Sequence, residues 1–146
     1  MKIFSNKISL AASFGIIVVA FFIARYMVLC SIVLTPLILN LFSAFFSFLS
    51  KKIHPLLKCL LVSFFISFYD VIIRFFAFNL KGTISANFVI IFFVLGIIPA
   101  YSVYISGILK FNTKESTAIK VISIVLFPLL IAIHFYFVQA FGLGML

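Results

Sequence analysis

The sequence predicts an all-α protein, a polytopic bundle of transmembrane helices, and three observations support this fold class. The first observation is the composition, since hydrophobic residues make up 66% of the 146 positions and charged residues only 9%. The second is the mean hydropathy of +1.44. Soluble domains contain about 45–50% apolar and about 25% charged residues, so these values exclude a soluble fold. The third observation is a series of apolar runs, each near the ~20 residues that a helix needs to cross a bilayer. The segments between the runs are short, so we expect a single domain over residues 1–146.

The first third of the chain contains the ambiguous part of the span assignment. Its start is basic and then apolar, like a secretory signal, but the apolar stretch is long and a second run follows directly, which favours a retained helix. One helix over residues 8–50 would measure on the order of 60 Å, about twice the thickness of the bilayer core. The chain therefore folds back near Arg25, giving five spans, or its first helix lies along the interface, giving four. Pro55 suits the first turn of the next helix, where its missing N–H costs nothing. The five predicted spans cover about 8–24, 27–50, 55–80, 86–109 and 118–141.

The placement of lysines predicts which helix ends face the cytosol. With five spans and a cytoplasmic amino terminus, eight lysines lie on the inner side, whereas the outer side carries only Arg25 and Lys81. The eight inner lysines are Lys2, Lys7, Lys51, Lys52, Lys58, Lys110, Lys114 and Lys120. With four spans, the inner and outer counts become six and four. Basic residues concentrate in cytoplasmic loops, so we favour five spans in a bacterial inner membrane with the amino terminus in the cytoplasm. The lack of Gly, Pro or Asn beside Arg25 keeps the four-span alternative open.

Asp70 and Arg74 lie four residues apart inside the third predicted span. An unpaired charge at the centre of a membrane helix costs about 2.5–3.5 kcal/mol on insertion scales. Residues at this spacing share one helix face, so each charge can neutralise the other. Two interpretations stay open. The pair is structural and hydrogen-bonds to Tyr69 or to serines of a neighbouring helix, or it belongs to an ion or proton pathway or breaks when a signal arrives.

Small and hydroxylated residues mark faces that should avoid lipid. Ser63 and Ser67 share the helix face of Asp70, and Asn40 begins a similar stripe of serines in the second span. Such residues let membrane helices approach closely, so we expect the two stripes to pack together or to line a shared interior.

Two further positions inside the spans are candidates for function. His134 is a second polar position, in the last span, where it acts as a proton carrier or as a hydrogen-bonded structural residue. Gly96 and Pro99 form a hinge candidate in the fourth span, and kinked packing without motion is the alternative.

The two loops on the predicted inner side are strongly basic. Together with the start of the last span they carry six lysines against one glutamate. These lysines are Lys51, Lys52, Lys58, Lys110, Lys114 and Lys120. The positive-inside bias and attraction to anionic membrane lipid account for them, and a docking face for an acidic cytosolic protein is the alternative.

No pattern in the sequence predicts an enzyme. The two histidines and two cysteines have no close spacing and match no zinc or haem motif, so we expect no cofactor and no metal. Cys30 and Cys59 should be free thiols, because they are expected near opposite membrane faces. The chain has no glycine-rich phosphate loop and no grouped nucleophile and base. Its net charge of +9 lies between apolar runs and predicts orientation rather than direct binding of nucleic acid.

We therefore expect a non-enzymatic inner-membrane protein, a homo-oligomeric scaffold or sensor whose small-residue faces pack between subunits and whose basic loops engage a cytosolic partner. A setting in bacterial defence, against phage or a pore-forming toxin, is a hypothesis that rests on size, composition and missing catalytic chemistry. The competing hypothesis is a small ion or proton channel or transporter subunit, with Asp70, Arg74, Asn40 and His134 along the path.

Overall fold

The structure, a computed structural model, describes residues 2–49, 53–78, 83–112 and 114–140, and the side chains of 11–48, 53–77, 87–112 and 114–140. In these residues the chain forms five α-helices and one short π-helical segment, which confirms the predicted all-helical bundle. The helices are α1 (Lys2–Tyr26), α2 (Val28–Ala44), α3 (Pro55–Phe78), α4 (Thr83–Phe111) and α5 (Thr117–Ala140), and the π-helical segment Phe45–Leu49 extends α2.

Within the described residues, four helical stretches are long and apolar enough to cross a membrane. They are Val28–Phe48, Pro55–Ala77, Asn87–Phe111 and Thr117–Ala140. Ala11–Tyr26, the apolar part of α1 over which side chains are described, is shorter. The protein is therefore a multi-pass membrane protein, and α3 begins at Pro55, where the sequence placed a helix start.

The chain reverses direction at Met27, between α1 and α2. Met27 leaves helical geometry, with φ of −141° and ψ of 66°, although its N–H still donates to the carbonyl of Ile23. A single residue therefore forms the connection. The reversal lies beside Arg25, where the five-span interpretation placed it, and no turn residue marks it because neither glycine nor proline is needed when the break involves one residue at negative φ.

Ring contacts show that α1 and α3 run in parallel. Phe14 and Phe21 of α1 contact Phe65 and Phe76 of α3 in the same order along both helices. Both pairs are edge-to-face, the arrangement that aromatic quadrupoles favour.

α2 runs opposite to α3. Phe42, late in α2, lies against Phe65 of α3, whereas Ser31, early in α2, accepts a hydrogen bond on its carbonyl from Tyr69, further along α3. Because α1 is parallel to α3, α1 and α2 form an antiparallel hairpin.

The last two helices continue the alternation. Lys58 at the start of α3 contacts Asn112 at the end of α4, so these two helices are antiparallel. Ser123, early in α5, donates to the carbonyl of Pro55, and His134, late in α5, contacts Asp70, so α5 is parallel to α3. The starts of α1, α3 and α5 therefore lie at one end of the bundle.

We call this end the basic end, and it carries most of the cationic side chains that the structure describes. The cationic side chains at this end are Lys58, Lys110, Lys114 and Lys120, and His54 lies at the same end. Among the described side chains outside the core, Arg25 is the charged group at the other end. The alternating helices fit the favoured five-span topology, in which the basic end faces the cytosol.

The closest helix approach joins α2 and its π-helical extension to α4. A Cβ atom placed on Gly107 of α4 would lie 2.2 Å from Cβ of Ser47, and one on Gly96 would lie 2.8 Å from Cα of Pro36. Both glycines are buried, so their missing side chains allow the backbones to touch.

This packing gives one of the two predicted serine stripes a partner on a third helix. Ser47, in the stripe of the second span, lies against Gly107 of α4. α2 packs more extensively on α4 than on α3. The serine pattern identified a packing face but could not choose between two partners that both offer small residues.

Replacing Gly107 with alanine should destabilise the bundle by about 1–3 kcal/mol, because the added methyl group overpacks the contact with Ser47. Gly15→Ala is the matched control, since a Cβ at Gly15 meets nothing within 4 Å and alanine is the better helix former. The free energy of unfolding in mixed micelles measures both changes. Equal stability of the two variants would contradict the α2–α4 contact.

Cysteine labelling in sealed vesicles tests the direction of α1. In a background without Cys30 and Cys59, five crossings place Lys7→Cys and Lys114→Cys on the same side of the membrane and Arg25→Cys on the other. An interfacial α1 would instead leave Lys7→Cys accessible from the Arg25 side. A membrane-impermeant maleimide, added outside or after lysis, distinguishes the two results.

Candidate functional site

A buried charged cluster joins α3 to α5. Asp70 Oδ2 accepts a hydrogen bond from Nε of Arg74 at 2.7 Å and lies 2.8 Å from Nε2 of His134. The side chains of Asp70 and Arg74 are 1% and 2% exposed, and that of His134 is 10% exposed. Both distances are typical of charge-assisted hydrogen bonds. We call these three residues the charged cluster.

Helix geometry explains why these residues meet. Asp70 and Arg74 are four residues apart on α3 and share one face. α3 and α5 start at the same end of the bundle, with Asp70 fifteen residues after Pro55 and His134 seventeen after Thr117, so the two side chains reach a similar depth. The sequence predicted the Asp70–Arg74 pair, but it treated His134 as a separate position. Only the pairing of the two helices brings it to Asp70.

Aromatic rings surround the cluster and keep its surroundings apolar. The guanidinium carbon of Arg74 lies 5.8 Å from the ring centroid of Phe135, within the range of a cation–π contact. The His134 ring lies 6.4 Å from the ring centroid of Phe93 on α4. In such surroundings the cost of an uncompensated charge is high, so the mutual pairing of the three groups stabilises the ionised carboxylate.

Two atoms of the cluster have no hydrogen-bond partner among the described residues. They are Oδ1 of Asp70 and Nη2 of Arg74, and both are inaccessible to solvent. In a bidentate arrangement these two atoms would bind each other. Oδ2 is instead shared between Arg74 and His134, which leaves one acceptor and one donor at the same ion pair unused.

The cluster lies in the half of the bundle away from the basic end. Arg74 is four residues before Phe78, the last described residue of α3, which corresponds to about 6 Å along a helix. His134 is six residues before the end of α5 at Ala140, or about 9 Å.

Among the described residues, the other polar residues predicted for this site make no hydrogen bond to the charged cluster. Ser63 is buried, and its hydroxyl has no hydrogen-bond partner among the described residues. Ser67 is half-buried. Asn40 donates from Nδ2 to the carbonyl of Pro36 at 2.7 Å. This bond lies within its own helix, one turn earlier, and does not involve Asp70.

Tyr69 was predicted as a possible hydrogen-bond partner of the Asp70–Arg74 pair, but its hydroxyl bonds to α2 instead. Its hydroxyl donates to the carbonyl of Ser31 at 3.1 Å and lies 3.5 Å from Oγ1 of Thr35. The sequence indicates such a contact, because the hydroxyl of a tyrosine inside an apolar span needs a buried hydrogen-bond partner.

A second buried polar network lies at the basic end. Lys58 is fully buried and donates from Nζ to Oδ1 of Asn112 at 2.7 Å. Asn112 in turn donates from Nδ2 to the carbonyl of Ile53 at 3.0 Å. We therefore correct the sequence prediction that Lys58 contacts lipid or a partner: its long side chain turns inward and joins two loops.

The remaining predicted contact lysines differ in exposure. Lys110 and Lys114 are exposed, and Lys120 is half-buried. Lys51 and Lys52 lie outside the described residues. Nε2 of His54 lies 3.9 Å from Oε2 of Glu115, so the same two loops also approach each other at the surface.

The hinge candidate has a packing role in the structure. α4 is a continuous helix through Pro99, and Gly96 lies against Pro36 and Leu39 of α2. This contact favours the packing alternative. A kink at Pro99 and motion at Gly96 stay predictions.

Neither the grouping of metal-binding side chains among the described residues nor the comparisons with known proteins indicate a reaction or a ligand. Among the described residues, no three His, Cys, Asp or Glu side chains are grouped closely enough to hold a metal ion. Cys30 is exposed and Cys59 is buried, and both are free thiols as predicted. Searches of protein-family models, curated proteins and solved structures find no match to this chain. The chemistry of its own residues therefore has to support any functional conclusion.

Asp70→Asn should destabilise the bundle strongly, because it leaves the Arg74 charge buried without a counter-charge. Removal of one partner of a buried ion pair costs about 3–5 kcal/mol in soluble proteins. The double variant Asp70→Asn/Arg74→Met should recover a large part of this loss, since it removes the stranded charge too. Unfolding free energies of the two variants and the parent measure the coupling, and additive losses would contradict a paired role.

Proposed function

We propose that this protein is a non-enzymatic membrane scaffold or sensor that binds an acidic cytosolic partner at its basic end. One observation carries the proposal: two loops that are more than fifty residues apart in sequence are fixed to each other by Lys58, Asn112 and Ile53. A surface with a fixed shape loses less conformational entropy on binding than two independent loops would lose.

The charges at this surface support an acidic partner. Lys110 and Lys114 are exposed, and Lys120 follows on the first turn of α5, against Glu115 as the one acidic side chain described there. A surface of one sign accelerates the encounter with an oppositely charged protein and suppresses the wrong partners. Anionic lipid alone would attract the same charges, so the experiment below has to separate lipid from protein.

The sensor part of the proposal follows from the position of α5. This helix begins directly after the basic loop, carries Lys120 at its start, and is tied to α3 at His134, fourteen residues further on. Fourteen residues span roughly 21 Å of helix. α5 is also the least buried of the four apolar spans. One continuous helix, with Pro128 inside it, therefore joins the charged cluster to the basic end.

Self-association belongs to the same proposal. Part of the small-residue pattern is used inside the chain, since Ala20, Ala24 and Ala100 are buried. Ser102 and Ser106 on α4 are exposed, and their hydroxyls donate to carbonyls one turn earlier in the same helix. They therefore present a flat surface with satisfied polar groups, which is suited to another membrane helix.

The ion-channel alternative has weaker support. Oδ2 of Asp70 is already bound to Arg74 and His134, so only Oδ1 remains for a passing cation. The positive charge of Arg74 opposes such passage further.

Charge reversal at the basic end tests the proposal. We expect Lys110→Glu/Lys114→Glu to lose an acidic protein that co-purifies with the parent in mild detergent, because attraction becomes repulsion. Lys110→Arg/Lys114→Arg is the matched control and should retain it. The co-purifying protein is identified by mass spectrometry and then measured against the purified chain in nanodiscs.

Nanodiscs of neutral lipid separate the two sources of negative charge. Salt-sensitive binding in neutral lipid supports a protein partner. Binding that needs anionic lipid, or that survives charge reversal, would contradict the proposal.

A further inference from the structure

We propose that Asp70, Arg74 and His134 form a hydrated proton-binding site, whose ligands are one internal water molecule and a proton that is taken up by His134. The inference rests on the proposed function only for its consequence, that protons are the stimulus which the sensor detects. The site itself is argued from the geometry of the charged cluster.

The two unused atoms of the cluster define the place of the water. Oδ1 of Asp70 accepts and Nη2 of Arg74 donates, and neither has a partner among the described residues. A buried polar group without a partner costs about 1–3 kcal/mol. Water is the small molecule that donates and accepts at once, and buried waters typically make two to four hydrogen bonds to such groups. An inorganic anion would satisfy Arg74 but would repel the carboxylate of Asp70.

The hydrogen bonds identify the ring atom that takes up the proton. Arg74 stays protonated in proteins, so the carboxylate of Asp70 remains ionised beside it. Oδ2 is an acceptor, and Nε2 of His134 must therefore carry the hydrogen in the neutral ring. This tautomer leaves the lone pair on Nδ1. A proton from a hydronium ion forms a bond to Nδ1 and leaves water behind, and the charge of the cluster changes from zero to +1.

The surroundings of His134 isolate this event electrostatically. Among the described side chains, the charged groups that face His134 are Asp70 and, through it, Arg74, both on α3. α4 contributes the ring of Phe93, and α5 contributes the neighbouring ring of Phe135. The ionised Asp70 therefore provides the main compensation for an imidazolium at His134.

The position of the cluster along the helices indicates the direction of access. His134 is 10% exposed, whereas Asp70 and Arg74 are 1% and 2% exposed, so the histidine is the least enclosed of the three. Arg74 and His134 lie about 6–9 Å, by helix rise, from the last described residues of α3 and α5, opposite the basic end. The shorter path for a proton therefore starts on the side of the membrane opposite the basic end.

The chain contains only two histidines, which makes a direct measurement feasible. In His54→Gln, nitrogen NMR of the imidazole in nanodiscs reports on His134 alone. We expect a neutral ring with hydrogen on Nε2 that takes up a proton on Nδ1 as the pH is lowered. Transfer of magnetisation from water to the imidazole should detect the internal water in the same sample.

Asp70→Asn tests the role of the carboxylate. The preference for hydrogen on Nε2 in the neutral ring should weaken, because the amide can donate as well as accept. The parent chain supplies the reference for the tautomer. If Asp70→Asn does not fold, the tautomer and the water transfer in His54→Gln decide the matter.

Three results would overturn the inference: hydrogen on Nδ1 in the neutral ring, no uptake of a proton by His134 as the pH is lowered, or no transfer from water. These results are distinct from failure of the proposed function. Lys110→Glu/Lys114→Glu should abolish partner binding and leave the His134 spectrum unchanged. A proton site with no partner at the basic end would leave the present inference standing and the proposed function contradicted.

Discussion

The carboxylate of Asp70 is the constraint on which the interior of this bundle depends. An acid that is 1% exposed within a membrane-spanning helix is tolerated only when donors surround it, and Arg74 and His134 provide them from two helices. The shared oxygen Oδ2 thus fixes α5 relative to α3. Because the three groups compensate each other, changing one alters the charge balance of the other two, which makes the cluster sensitive to a single proton.

Close packing holds the other pair of helices by a different mechanism. Between α2 and α4 the backbones approach closely because Gly96 and Gly107 have no side chains, and no charges are involved in these two contacts. Lipid tails are as apolar as the helices, so burial of apolar surface provides little driving force there, and backbone proximity takes its place. The bundle therefore combines a glycine-based pair, α2 with α4, and a hydrogen-bonded pair, α3 with α5.

The two polar centres at opposite ends suggest how these pairs work together. Lys58 and Asn112 fix the loops at the basic end, and the charged cluster fixes the opposite half of α3 and α5. α3 belongs to both centres. A helix that is anchored at both ends transmits displacement better than it absorbs it, which is consistent with a sensor whose input and output lie on opposite sides of the membrane.

The sequence by itself determined the fold class, the approximate positions of the apolar helices, and the pairing of Asp70 with Arg74, while it left four and five membrane crossings open. Hydropathy and helical spacing are local properties, so composition and periodicity are sufficient for these conclusions. The sequence also predicted a reversal near Arg25, but not that a single residue, Met27, forms it, because the residues there carry no turn preference. Tertiary structure alone decided that His134 joins Asp70, that Lys58 turns inward to Asn112, and that the serine of the second span meets Gly107. Each of these contacts depends on which helices become neighbours, and several small-residue faces in this chain are equally suited to pack by sequence. The choice among them is made by the packing of the whole bundle.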